Sequence, residues 1–335
     1  MPFSLTKTYP RLWSLDAGVA MVVTDLHGDW DAYTRYRDRF LALHATSQAD
    51  CLIFTGDLIH REPGDGLDRS LEIVADMLVL RARYGDAIIY LCGNHELPHL
   101  YGIVLSKGTR TYTPYFEAAL SQSGQRDRVI ELFDSLPFFL RTAAGVCLTH
   151  AGAAPAMAVS GTAHRLCSWR HCDLRDWADA QLAVGDIAEL RSGYARLSGE
   201  ASYDAMAQHY LSASDPADPR YDDLLRGFLV AGNADFQLVY DTLFTRCEEQ
   251  SGEAAYAAQL EAMLAHISED YIPQRALVAG HMRVVGGHTL VADRHLRLAS
   301  AAHAQPRAAG MYLRVDAARP INAAIELYAR LETVF

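Results

Sequence analysis

The chain has 335 residues, half of them apolar and 21% charged, with 30 basic against 41 acidic side chains. That is enough apolar material for one large domain or two smaller ones, and the net charge of −11 argues against a surface built to neutralise the phosphates of duplex DNA or RNA. No basic-then-apolar leader and no apolar run of the roughly 18–20 residues that span a bilayer can be read in it, and Cys51, Cys92, Cys147, Cys167, Cys172 and Cys247 show no disulfide spacing, so a soluble cytoplasmic protein with reduced thiols is expected.

The first strand is read at Val19–Thr24, and it runs into Asp25-Leu-His27-Gly28-Asp29. Asp29 is a suitable helix N-cap, and Tyr33, Tyr36, Phe40 and Leu41 then recur at helical spacing. The pattern repeats at Cys51–Thr55, which ends in Gly56-Asp57 with His60 and Arg61 close behind, before a helix whose buried face is read as Leu67, Leu71, Val74, Ala75 and Leu78. A third strand, Ile88–Leu91, opens into Gly93-Asn94-His95-Glu96, where Gly93 allows a sharp bend. Strands alternating with helices predict an α/β fold, in which ligands collect at the carboxyl ends of strands.

Residues 98–125 read as an aperiodic Gly/Ser/Thr/Tyr-rich connection, followed by a helix over 126–136 and a strand at Gly145–Thr149 ending in His150-Ala151-Gly152. From 171 to 275 helical patterns take over, including one face of Tyr256, Leu260, Met263, Leu264 and Ile267. Strands return at Ala276–Gly280, ending in His281, then over 284–291, 295–299 and 311–315. The expected organisation is a core of residues 1–170 and 276–335 with a helical insertion or cap at 171–275. His288, His295 and His303 are expected on exposed strands or loops, and His164, Cys167, His171 and Cys172 fit no standard zinc spacing.

The strand-end residues collect into Asp25, His27, Asp57, Asn94, His150 and His281. Six oxygen and nitrogen donors without thiolate suit two divalent ions of the Mn, Fe or Zn kind, with a central carboxylate such as Asp57 able to bridge them. Such a pair is a device for phosphoryl transfer. Arg61 has the planar fork that grips phosphate oxygens. His95, poorly placed to share Asn94's ion, is free to protonate a leaving oxygen, with Glu96 or His60 to orient it.

In this order, Asp-x-His, Gly-Asp-x-x-x-Arg, Gly-Asn-His-Glu, His-x-Gly and Gly-His resemble the calcineurin-like metallophosphoesterase superfamily. They are most similar to its PPP-type (Ser/Thr protein phosphatase-like) branch and the bacterial members of that branch. The resemblance covers about residues 19–170 and 276–315. It implies a four-layer β-sandwich flanked by helices, here with a helical insertion. It also implies Asp25, His27 and Asp57 on a first metal, and Asp57, Asn94, His150 and His281 on a second. His95 would be the acid, and Arg61 a phosphate clamp. Arg170 would be the second clamp, with Arg226 competing for that role, and Arg61, Arg170 and Asn94 would bind substrate. The implied reaction is hydrolysis of a phosphomonoester by direct attack of a metal-bridging water, with two divalent ions (Mn2+ first, Fe or Zn as alternatives) as cofactors. The expected substrate is a phosphorylated protein (phosphoserine, phosphothreonine or phosphotyrosine). The alternative is a dinucleoside polyphosphate or another small phosphate ester. No membrane or nucleic acid duplex partner is expected, and the oligomeric state stays open.

Three departures stand out. His60 precedes Arg61 where eukaryotic protein phosphatases carry Asp. Ala151 follows His150, as in symmetrical dinucleoside tetraphosphatases. Gly280-His281-Met282-Arg283 lacks the second histidine of the Gly-His-x-His that ends many superfamily members, which favours the PPP branch over the phosphodiesterases.

Overall fold

The run Cys51–Phe54 is buried along its whole length, and Val19–Val23 nearly so, because neither has a polar face to turn to water. They lie parallel to each other and to Ile88–Tyr90, in register at Val22, Ile53 and Ile89. Met311–Asp316 joins antiparallel, and Leu331–Thr333 completes a five-stranded sheet in the order 331–333, 311–316, 19–23, 51–54, 88–90. A second, seven-stranded sheet runs Ser4–Tyr9, Leu12–Ala17, Phe139–Thr142, Val146–Leu148, Ala276–Ala279, His295–Leu298 and His288–Val291. The computed structural model describes residues 3–61, 66–108 and 110–335.

Alternation along the strands decides how the two sheets meet. Val22, Ile53, Ile89, Leu313 and Val315 from one sheet and Leu15, Leu140, Leu148, Val278, Leu296 and Leu298 from the other form a single core. Full burial of each such side chain contributes about 1.5–3 kcal/mol. The outer faces take helices. Tyr33, on the helix Trp30–Ala45 capped by Asp29, stacks on Phe54 at 6.0 Å. On the far side, Tyr256 of the helix Glu253–Ile267 hydrogen bonds His295 at 2.7 Å. The result is the expected four-layer α/β sandwich.

The chain divides into two compact units. The sandwich unit takes 1–94, 135–169 and 239–335, so the helix Glu253–Ile267 falls within it. The second unit takes 95–134 and 170–238. It is helical, with the helices Thr113–Ser123, Arg126–Asp134, His171–Val184, Ile187–Leu197 and Asp223–Ala231. Its core gathers Tyr203, Met206, Leu211, Tyr221, Leu224 and Leu225. Thr113–Ser123 lies in the stretch read from sequence as a connection. Among the described residues, no helix is long and apolar enough to cross a membrane.

Candidate metal centre

Five parallel strands end on one edge of the sandwich, three from one sheet and two from the other. The loops that follow them carry the polar residues: Asp25 and His27 after Val23, Asp57 after Phe54, Asn94 after Tyr90, His150 after Leu148 and His281 after Ala279. Backbone bonds cross-link the loops. The amides of Leu26 and His27 both donate to Asp57 O at 3.0 Å, and Gly280 N donates to His150 O at 3.0 Å.

Glycines let these loops close up. A Cβ at Gly56 would stand 2.6 Å from His150 Nδ1 and 2.7 Å from Gly93 Cα, and one at Gly280 would overlap the Asp25 carboxylate. Asp25 Oδ2 can therefore accept from His281 N at 2.8 Å. Close approach has a backbone cost. His27, Asp57, His60 and His281 hold φ of 45, 52, 69 and 71°, a region that L side chains rarely adopt.

The structure brings all six expected ligands together. His150 Nε2 lies 2.9 Å from Asn94 Oδ1, 3.0 Å from His281 Nδ1 and 3.4 Å from Asp57 Oδ2. His27 Nε2 lies 3.7 Å from Asp57 Oδ2, so Asp57 faces both groups. The carbonyls of Thr55 and Ile59 settle the tautomers. They accept from His150 Nδ1 at 2.9 Å and His27 Nδ1 at 3.2 Å, which leaves each Nε2 with an outward lone pair. Around His150 Nε2, then, gather an amide oxygen, a carboxylate oxygen and a second imidazole nitrogen, the donor types that hold a divalent ion. Asp25 Oδ1, fully buried, has no hydrogen-bond partner. The residues present therefore fit divalent ions held by oxygen and imidazole.

Burial pushes the His27 imidazole below its usual range, against the pull of Asp57. Burial, then the neighbouring His150, pushes His281 well below it. Neutral imidazoles are the form that binds a cation. For Asp25, burial opposes ionisation, but His303 and His150 outweigh it and hold the carboxyl below the usual carboxylate range.

Arg61 lies beside the same turn, its guanidinium 3.3 Å from Asp29 and 3.5 Å from Gly28 O. His60 is buried, with its amide bonded to Ser70 Oγ at 2.7 Å. His95 and Arg170 belong to the helical unit. There His95 packs edge-on against Tyr112 at 5.4 Å. Arg170 is exposed, 3.6 Å from Asp173. Arg226 is engaged by Asp179 at 2.5 Å and Asp223 at 2.7 Å. One expectation about the histidines is corrected. His295 is fully buried on its strand, bonded to Tyr256. His303 lies on a turn, as expected, with its Nδ1 3.4 Å from Asp25 Oδ1.

Strand-end oxygen and imidazole donors on an α/β sandwich make a candidate metal centre. Residues 19–181 match the family model of calcineurin-like phosphoesterases. A search of curated proteins gave no match. Among solved structures, a cold-active protein tyrosine phosphatase is 18% identical with a TM-score of 0.50, over 92% of this chain and 77% of that one. A protein serine/threonine phosphatase from Saccharomyces cerevisiae is 14% identical with a TM-score of 0.50, over 92% and 78%. At these identities the likeness is one of fold.

Proposed function

We propose that the chain is a dimetal-dependent phosphomonoesterase of the PPP type, acting in the cytoplasm on phosphoserine, phosphothreonine or phosphotyrosine. The observation that carries this is the convergence of Asn94 Oδ1, Asp57 Oδ2 and His281 Nδ1 on His150 Nε2, at 2.9, 3.4 and 3.0 Å. Asp25, His27 and Asp57 would hold one ion, and Asp57, Asn94, His150 and His281 the other. Bound there, two divalent ions of the Mn2+ kind would supply neutralisation of phosphate charge and a more acidic water.

The rest falls to the chain's own side chains. Arg61 grips two phosphate oxygens with its fork, exchanging its bond to Asp29 for a doubly charged partner. Arg170 is the better second clamp, because Arg226 already serves two carboxylates. His95 gives its proton to the leaving oxygen as the ester bond breaks. Water attacks phosphorus directly, so no phosphoenzyme forms.

The test is turnover by metal-stripped protein with Mn2+ restored, on para-nitrophenyl phosphate, a phosphopeptide set and diadenosine tetraphosphate, beside Asp57→Asn. Mn2+-dependent phosphopeptide hydrolysis, lost in Asp57→Asn, is expected. Hydrolysis of the dinucleotide alone would favour the small-molecule reading to which Ala151 points. No turnover of any substrate would reject the enzyme.

A further inference from the structure

The Gly-His-x-His ending is absent here, since Arg283 stands at the place of its second histidine. The geometry shows what lies near Asp25 instead. Val284–Val285, just past Arg283, pairs in parallel with Ala304–Gln305, and Val284 N donates to His303 O at 2.8 Å. A strand contact twenty residues away in sequence thus brings a histidine to the edge where Asp25 and His27 stand.

The approach is held on several sides. Thr24 and Ser300 exchange hydrogen bonds, Thr24 N to Ser300 Oγ at 2.9 Å and Ser300 N to Thr24 Oγ1 at 3.0 Å. Tyr36 OH donates to Ser300 O, and Ala302 N to Asp25 O at 3.3 Å. The end of strand 19–23 and the His303 loop are therefore tied together on both sides of the carboxylate. His303 packs its ring edge-on to His27 at 5.0 Å, and its side chain is 18% exposed. Ligand atoms of Asp25, His27 and His303 all lie within 4.8 Å of one another.

Two buried atoms at this point lack a hydrogen-bond partner, Asp25 Oδ1 and His303 Nδ1, although they are 3.4 Å apart. A plain His–Asp ion pair would turn the N–H onto the oxygen, and this pair has the distance without the alignment. Ligand atoms of Asp25, His303 and His27 this close together are near enough to share one cation.

We propose that His303 is a further protein ligand of the first cation position, beside Asp25, His27 and Asp57. The assignment rests on the dimetal reading above. It gives the first position two imidazoles and two carboxylates, all from this chain. A second imidazole shifts that position's preference from magnesium toward manganese, iron or zinc.

The experiment measures cations rather than turnover. Metal-stripped wild type, His303→Ala and His303→Gln are titrated with Zn2+ and with Mn2+ by calorimetry, and bound metal is counted by mass spectrometry after gel filtration. Circular dichroism melts report folding. Wild type is expected to hold two ions. Both variants should keep one with unchanged affinity and bind the other at least 10- to 100-fold more weakly, since even outer-shell changes have effects of that size. Two ions held as tightly in both variants as in wild type would overturn the role of His303 and leave the dimetal reading standing. A wild type that binds no ion would overturn the dimetal reading itself. Should the variants fail to fold, cobalt-loaded wild type decides the matter by NMR. Paramagnetically shifted signals from four histidines support the assignment, and from three overturn it.

Discussion

Replacing Arg297 with methionine should lower stability by about 3–5 kcal/mol, the usual effect of removing one partner from a buried charge pair. The guanidinium is 2% exposed and donates to Ala151 O at 2.8 Å and to Gly280 O, the residues after His150 and before His281. Its other nitrogen pairs with Glu248, whose side chain is 9% exposed. In Arg297→Met the Glu248 carboxylate is left buried and unpaired. Gly280 O keeps its bond from Met282 N, but Ala151 O loses the one described. The network is imperfect as it stands, because Glu248 Oε2 and Arg297 Nε have no partners. Removing both charges in Arg297→Met with Glu248→Gln should therefore lower stability by only about 1–3 kcal/mol, the penalty of one unsatisfied carbonyl. Urea unfolding of the wild type, the two single variants and the double variant at pH 7 gives the cycle. A single variant within about 1 kcal/mol of wild type, or a double variant that sums the singles, would refute the reasoning.

Burial, with Arg297 beside it, pushes His295 well below the usual histidine range, so below pH ~6.5 the unfolded chain takes up a proton that the folded chain refuses. Stability of the metal-stripped protein should then fall as pH drops through ~6.5, by about 1.4 kcal/mol per pH unit for this group, and His295→Gln should flatten the fall measured by urea unfolding. Thiol titration of the native protein should find one reactive group, Cys172, since the other five cysteines are buried, and burial raises Cys147 and Cys167 to about 12. Arg170→Ala should raise KM about tenfold with little change in melting temperature, the weight of one charge-assisted contact. Arg226→Ala should instead lower the melting temperature, because it leaves the partly buried Asp223 with only the longer pair to Arg126 at 3.7 Å, and a KM effect from Arg226 alone would exchange the two roles.

The sequence was most legible where one local rule was enough. All five residues read as the inner face of 253–267 are buried, because no second apolar stripe competes with them. In the helix Ser70–Tyr84 two stripes do compete. Leu67, Leu71 and Leu78 have the spacing, yet Ile73, Val74, Met77 and Leu80 are buried, and Leu67 lies 78% exposed ahead of the helix. Only the sheet beneath can choose between them. The strand Phe139–Thr142 was hidden by Arg141, a charge inside a strand, which the fold satisfies with Ser14 Oγ at 2.9 Å and Ile267 O at 2.8 Å. Ser4–Tyr9 was hidden by being an edge strand, mostly exposed and without an apolar face. The six candidate ligands were legible because each follows a strand. His303 was not, since a two-residue strand pairing across twenty residues carries it and leaves no local pattern.

The strain at those strand ends connects the fold to the chemistry. His27, Asp57, His60 and His281 all hold positive φ, and at about 1–3 kcal/mol each the total is comparable with the net stability of a whole domain, about 5–15 kcal/mol. The sandwich core and the cross-linked loops hold these residues where a relaxed backbone would turn their side chains apart. Added to this is the crowding of oxygen and nitrogen donors around His150 Nε2. Both belong to the folded chain and not to the unfolded one, and a cation offsets the crowding of donors. A cation at 100 times its dissociation constant would stabilise the fold by about 2.7 kcal/mol per site. Chelation should therefore lower the melting temperature by several degrees, reversibly and in proportion to the logarithm of free Mn2+. A melting temperature that ignores Mn2+, in protein shown to bind it, would mean that the unfolded chain binds it equally well, and that the strained loops are not what prepares the site.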